Sequence, residues 1–166
     1  MALDVHLFPC RSDNYGFLAR DVETGVVAAI DTPDADRILK ELERLGWGRL
    51  DLILNTHWHP DHTEGNERLK AETGCEEVGP EEAARVTTLD RIVRDGDVVD
   101  LGETRFEATE APGHTLGHLV YRSAEAGEAF TGDVLFALGC GRLFEGTPDQ
   151  MWASLQGLAA WPEERS

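Results

Sequence analysis

Within residues 56–62 the chain places His57, His59, Asp61 and His62 in the pattern His-x-His-x-Asp-His, directly after the apolar run of residues 50–54. An extended backbone sends alternate side chains to the same side, so His57 and His59 can converge on one cation at a strand end. Asp61 and His62 then address a neighbouring position. Imidazole nitrogens and carboxylate oxygens suit zinc, iron or manganese, and a single ion cannot readily use four groups from so tight a loop, so the residues predict two adjacent metals. Solvated histidines in a turn would account for one His-x-His but account poorly for the whole pattern. Further candidates lie downstream. Gly113 permits a sharp turn between strand-like residues 104–111 and 119–122, aiming His114 as a third imidazole. Asp133 follows Gly132 at the end of a strand over 128–131, where its two oxygens could bridge two cations. A Gly-Asp pair alone is more often a turn, and its weight here comes from the two histidine loops before it. His118 is expected to be a hydrogen-bonded supporting or core histidine, and His6 a surface or packing residue.

The elements that must hold these groups follow from periodicity. Strands are predicted over residues 4–8, 15–20 and 26–30. A helix then carries Ile38, Leu39, Leu42 and Leu45 at three- and four-residue spacing, started by Thr32 and Pro33 and stopped by Gly46. A strand over 50–55 leads into the histidine loop. A polar helix near 66–72, a second series of strands and a helix over 149–160 complete the chain. Periodicity alone says mixed α and β. Asp31, closing a strand, either orients a metal ligand or caps the helix.

The 166 residues suffice for one compact domain spanning 1–166, and 41% hydrophobic with 28% charged residues is ordinary for a globular protein. The 15 basic and 32 acidic residues leave a formal charge of −17, which argues against nucleic acid or an anionic membrane as partner. Cys10, Cys75 and Cys140 are odd in number and widely spaced, which indicates neither a disulfide framework nor a zinc ribbon and fits a reducing cytoplasm. No basic-then-apolar leader opens the chain, and no stretch approaches the roughly 20 apolar residues that span a bilayer.

The set His57, His59, Asp61, His62, then Gly113 with His114, then Gly132 with Asp133, resembles the metallo-β-lactamase superfamily. The run of residues 139–146, Gly-Cys-Gly-Arg-Leu-Phe-Glu-Gly, together with residues 9–15, resembles its glyoxalase II branch, the hydroxyacylglutathione hydrolases. The resemblance implies an α/β fold, an αββα sandwich with the site at one edge between two sheets. It also implies one divalent metal, zinc before iron or manganese, on His57, His59 and His114. A second metal would sit on Asp61 and His62, with Asp133 between the two. Arg142 and Phe144 match positions that contact glutathione. The implied reaction is hydrolysis of an S-(2-hydroxyacyl)glutathione to a 2-hydroxy acid such as D-lactate and glutathione, by a hydroxide shared between the metals and oriented by Asp61 and Asp133. A persulfide dioxygenase-like iron oxidoreductase and a metal-binding fragment of little activity are the competing readings. The family carries a further histidine on a later strand and a C-terminal helical glutathione-binding domain. Residues 158–166 resemble the stretch just before that strand, so the expectation is a sandwich incomplete at its C-terminus and able to self-associate through an open sheet edge.

Overall fold

The computed structural model describes residues 3–10, 14–132 and 147–159. The first sheet is built from β1 (Leu3–Cys10), β2 (Asn14–Asp21), β3 (Val27–Ile30), β4 (Leu52–Leu54), β5 (Glu76–Gly79) and β6 (Arg91–Ile92), in that spatial order. The first three strands run antiparallel, whereas β3 to β6 pair in parallel. Every residue of β3 and β4 is buried, as expected of central parallel strands covered on both faces. Alternation divides them cleanly. Ala28, Ile30, Leu52 and Leu54 face one core, and Val27, Ala29 and Ile53 face the other.

Helix α1 (Ala35–Leu45) is the crossover between β3 and β4 and seals the outer core with Ile38 and Leu42. Its start lies beyond the Thr32 and Pro33 expected from sequence. Asp34 is the N-cap, its carboxylate accepting from the Arg37 amide at 3.2 Å, and Gly46 ends the helix at φ 69°. The short α2 (Pro60–Thr63) and the polar α3 (Asn66–Thr73) follow the histidine loop.

The second sheet is antiparallel, in the order β10 (Glu128–Phe130), β9 (Leu119–Ser123), β8 (Thr104–Glu110) and β7 (Val98–Leu101). Its inward residues Val99, Leu101, Phe106, Ala108, Leu119, Tyr121 and Phe130 meet the first sheet's inner face in the larger core. Asp21 ties the two sheets at one end. At the finish of β2, this fully buried carboxylate accepts from Thr24, from the Glu103 amide at 3.1 Å and from the Thr104 hydroxyl at 2.9 Å. At the opposite end the Leu119 amide donates to Thr56 O at 2.7 Å, and the Tyr121 hydroxyl donates to Asn55 O at 2.7 Å. Helix α4 (Pro148–Ala159) reaches that second end, where Met151 packs on Gly113 and the Ser154 hydroxyl donates to Pro112 O at 2.7 Å. Among the described residues no helix is long and apolar enough to cross a membrane.

Candidate metal centre

The histidines gather where strands of both sheets end. β4 runs into buried Asn55, Thr56 and His57, while the connection from β8 to β9 carries His114 and His118. One coordinating nitrogen from each of His57, His59 and His114 lies within 4.8 Å of the others. His59 Nδ1 and His114 Nε2 are 2.9 Å apart, a pair that one shared proton or one shared cation satisfies. Burial, followed by the neighbouring His57 and His114, lowers the His59 pKa from 6.5 to about 4. Near neutrality His59 is therefore an uncharged nitrogen donor, which is what a zinc-type cation requires.

Proline at the first position of α2 accounts for the turn that carries Asp61 and His62. The His62 ring lies 4.2 Å, centroid to centroid, from that of His57, and its Nε2 is 3.5 Å from Asp61 Oδ2. The backbone behind it is anchored: His62 O accepts from the Thr32 amide at 2.8 Å and from Asn55 Nδ2 at 3.1 Å. Asp61 itself is exposed, and Asn14 Nδ2 donates to its carbonyl at 3.2 Å.

A hydrogen-bond chain sets the protonation of two rings. The Asp31 carboxylate accepts from the Thr56 amide at 2.7 Å, the Thr56 hydroxyl at 2.7 Å and His62 Nδ1 at 2.8 Å. Since the Thr56 hydroxyl gives its single proton to Asp31, it can only accept in its 2.9 Å contact with His57 Nδ1. Both rings then carry their proton on Nδ1 and present a lone pair at Nε2, an arrangement typical of metal-ligating histidine. Of the two roles open to Asp31, the structure shows the orienting one, because Asp34 caps α1. Asp31 adopts φ 59°, an unusual left-handed backbone for a residue with a side chain, and its three hydrogen bonds hold it there.

His118 is fully buried and stacks on His57 with ring centroids 4.7 Å apart, as a supporting residue should. Gly132, at φ 54°, passes so close that an added Cβ would lie 2.6 Å from His118 Nε2 and 2.7 Å from Thr56 Oγ1. That close approach, more than the turn itself, explains the glycine before Asp133. Asp133, Arg142, Phe144 and Cys140 lie outside the described residues. His6 is not idle on the surface, as it meets Glu41 Oε2 of α1 at 2.9 Å. The roles of Thr56 and Asn55 escaped the sequence reading, and the only available signal was their position at the end of an apolar strand beside the histidines.

The sequence model described as the metallo-β-lactamase superfamily matches residues 28–160. A hydroxyacylglutathione hydrolase of Erythrobacter litoralis is 49% identical over 162 residues, 98% of this chain and 64% of that protein. Another of that name, from Maricaulis maris, is 52% identical over 161 residues, 96% of this chain and 62% of that protein. The chain thus spans less than two thirds of the length of these relatives. Among solved structures, ETHE1 from Myxococcus xanthus superposes with a TM-score of 0.84 at 28% identity, covering 99% of this chain and 73% of that one.

Proposed function

The chain belongs to the metallo-β-lactamase superfamily, and from that membership we propose that it carries the metal-dependent core of a hydroxyacylglutathione hydrolase. The observation that carries this reading is the 49–52% identity, over at least 96% of the chain, to proteins of that name. The three converging imidazoles fit a divalent cation, and superfamily membership points to divalent metals at such a site. In the proposal His57, His59 and His114 would hold one and Asp61 and His62 a second, with Asp133 a further ligand and zinc ahead of iron or manganese. Arg142 and Phe144 bind the glutathione portion. The substrate is a small-molecule thioester, and the compartment is the reducing cytoplasm that the cysteine pattern favours.

When bound, such cations polarise a carbonyl and bring the pKa of water toward neutrality. The chain's own contribution is to place donors before the metal arrives. Asp31 and Thr56 hold the His57 and His62 protons on Nδ1, and burial keeps His59 uncharged. Asp61, whose carboxylate is exposed, would together with Asp133 orient the attacking water and accept its proton. Water oxygen bonds to the acyl carbon as the carbon–sulfur bond breaks, and glutathione leaves as thiolate. That leaving group has a thiol pKa near 8.5, so the reaction needs no strong general acid.

The test is loss of thioester ultraviolet absorbance from S-D-lactoylglutathione on zinc-loaded protein, with D-lactate and free thiol appearing in equal amounts. Oxygen uptake with glutathione persulfide, without thioester loss, would replace this reading by the oxidoreductase. Failure of the protein to take up any transition metal would remove it altogether.

A further inference from the structure

Between β5 and β6 the chain makes a single 3₁₀ turn, Glu81–Arg85, anchored in the core by fully buried Ala83. Its Glu82 reaches both histidine loops. Oε2 accepts from the Trp58 amide, between His57 and His59, at 3.1 Å, and Oε1 accepts from the Gly117 amide, beside His118, at 2.5 Å. The first loop follows a strand of one sheet and the second precedes a strand of the other, so one carboxylate joins the two sheets at the site. The same turn grips the first loop again, since the Arg85 guanidinium lies 5.1 Å from the centroid of the Trp58 ring.

We infer that Glu82 is a positioning residue for the metal site, fixing the spacing between the His57–His59 loop and the His114–His118 loop by bridging a backbone amide of each. The inference rests on the metal-site reading above and says how the chain builds that site. Two lines of chemistry support it. An ionised carboxylate is the side chain that offers two acceptors and no donor, which is what two converging amides require, and charge-assisted bonds of this kind are among the stronger ones. Gly117 supplies the second. A Cβ there would lie 2.7 Å from Glu82 Oε1, 3.1 Å from Cγ and 3.2 Å from Cδ, while Gly117 is not among the glycines of positive φ. The glycine is needed for space, and the occupant of that space is Glu82. A solvated glutamate on a surface turn would impose no such demand on a residue 35 positions away.

The experiment compares zinc affinity, by competition with a chelator, for the wild-type chain, Glu82→Gln, Glu82→Ala, Gly117→Ala and the Glu82→Ala/Gly117→Ala double variant. Glu82→Ala should weaken zinc about tenfold or more, the usual range for residues that support ligands from behind. Glu82→Gln should fall between, because its amide group can accept from one loop but must face the other with a donor. Gly117→Ala should act like Glu82→Ala, and the double variant should be no worse than Glu82→Ala alone, since its methyl then has nothing to displace. The visible spectrum of the cobalt-substituted protein should change in Glu82→Ala, which a general loss of stability would not produce. Folded Glu82→Ala binding zinc at wild-type affinity with an unaltered cobalt spectrum, or additive losses in the double variant, would overturn the inference. If the wild-type chain itself takes up no metal, the functional reading fails, and the bridge is judged in the metal-free protein. The Trp58 and Gly117 amides should then both exchange faster in Glu82→Ala, which leaves neither an acceptor, and unchanged protection of both would refute the bridge on its own terms.

Discussion

A threonine hydroxyl has one proton to give, and at Thr56 its destination decides how His57 is protonated, while Asp31 holds the His62 proton directly. Given to Asp31, it leaves His57 no choice but to donate from Nδ1. Replacing Asp31 by Asn keeps a residue that tolerates left-handed backbone but leaves a single accepting oxygen where three donors converge. Asp31→Asn should therefore weaken zinc about 10- to 100-fold with little change in fold, as read by chelator competition beside circular dichroism. The lowered pKa of His59 has a definite sign. The unfolded chain takes up a proton near pH 6.5 and the metal-free folded chain only near 4, so this residue's contribution to stability falls as pH drops through that window. Ring-proton NMR of the metal-free protein should show one histidine titrating near 4, and a value of 6 or above would contradict the burial argument. The convergence of His57, His59 and His114 was readable because its chemistry lies in residue type and local spacing. Asp31 stayed between two roles, because the partners that decide between them stand 25 and 31 positions away. Glu82 was not readable at all, since its partners stand 24 and 35 positions away and nothing local announces them.

Elements were legible in proportion to their periodicity. The apolar spacing of α1 named the residues it buries, and Ile38→Ala, emptying a site that is 1% exposed, should cost about 2–4 kcal/mol in urea denaturation. The 3₁₀ turn and the four-residue α2 have too few residues for any period to emerge, so the element that turns Asp61 and His62 into place was missed. Partner choice among strands was equally hidden, since the parallel pairings from β3 to β6 depend on crossovers and not on any strand's own pattern. The join at Asp21 carries its own prediction. Burial pushes its pKa up, but hydrogen bonds from Thr24, Glu103 and Thr104 outweigh burial and leave it below its ordinary 3.8. Its stabilisation is present above that value and lost as pH falls beneath it. Asp21→Ala should cost about 2–3 kcal/mol by leaving the buried Thr104 hydroxyl and the Glu103 amide without their acceptor, and should blunt the acid limb of the stability profile.

At the scale of the molecule the dominant fact is a formal charge of −17. The substrate we propose, a glutathione thioester, is itself anionic, so it would approach against the protein's general field and be drawn in only at the site. Added salt, at constant metal loading, should raise kcat/KM as it screens that repulsion up to about 0.15 M. A monotonic fall would instead mean that local attraction dominates the approach. The mixed architecture was legible from two series of alternating elements. That both series deliver their histidines to one edge did not follow from periodicity; the family resemblance implied it, and the packing of the two sheets brings His57, His59 and His114 together there.

The two ends of the sandwich are fastened in different ways, and among the described residues only one of them has room for a metal to add to its fastening. At the Asp21 end the fastening is a carboxylate that holds under all but acid conditions. At the other end the Glu82 bridge and the Leu119–Thr56 and Tyr121–Asn55 bonds hold without metal, but the ligand loops beyond them meet at His59 and His114, 55 positions apart in the chain, where a cation would draw them closer. Stripping metal should therefore not loosen the protein evenly. Limited proteolysis after chelation should cut first in the loops around residues 56–65 and 111–118 while the turn near Gly102 stays resistant, so that metal supply sets which end of the protein a protease meets.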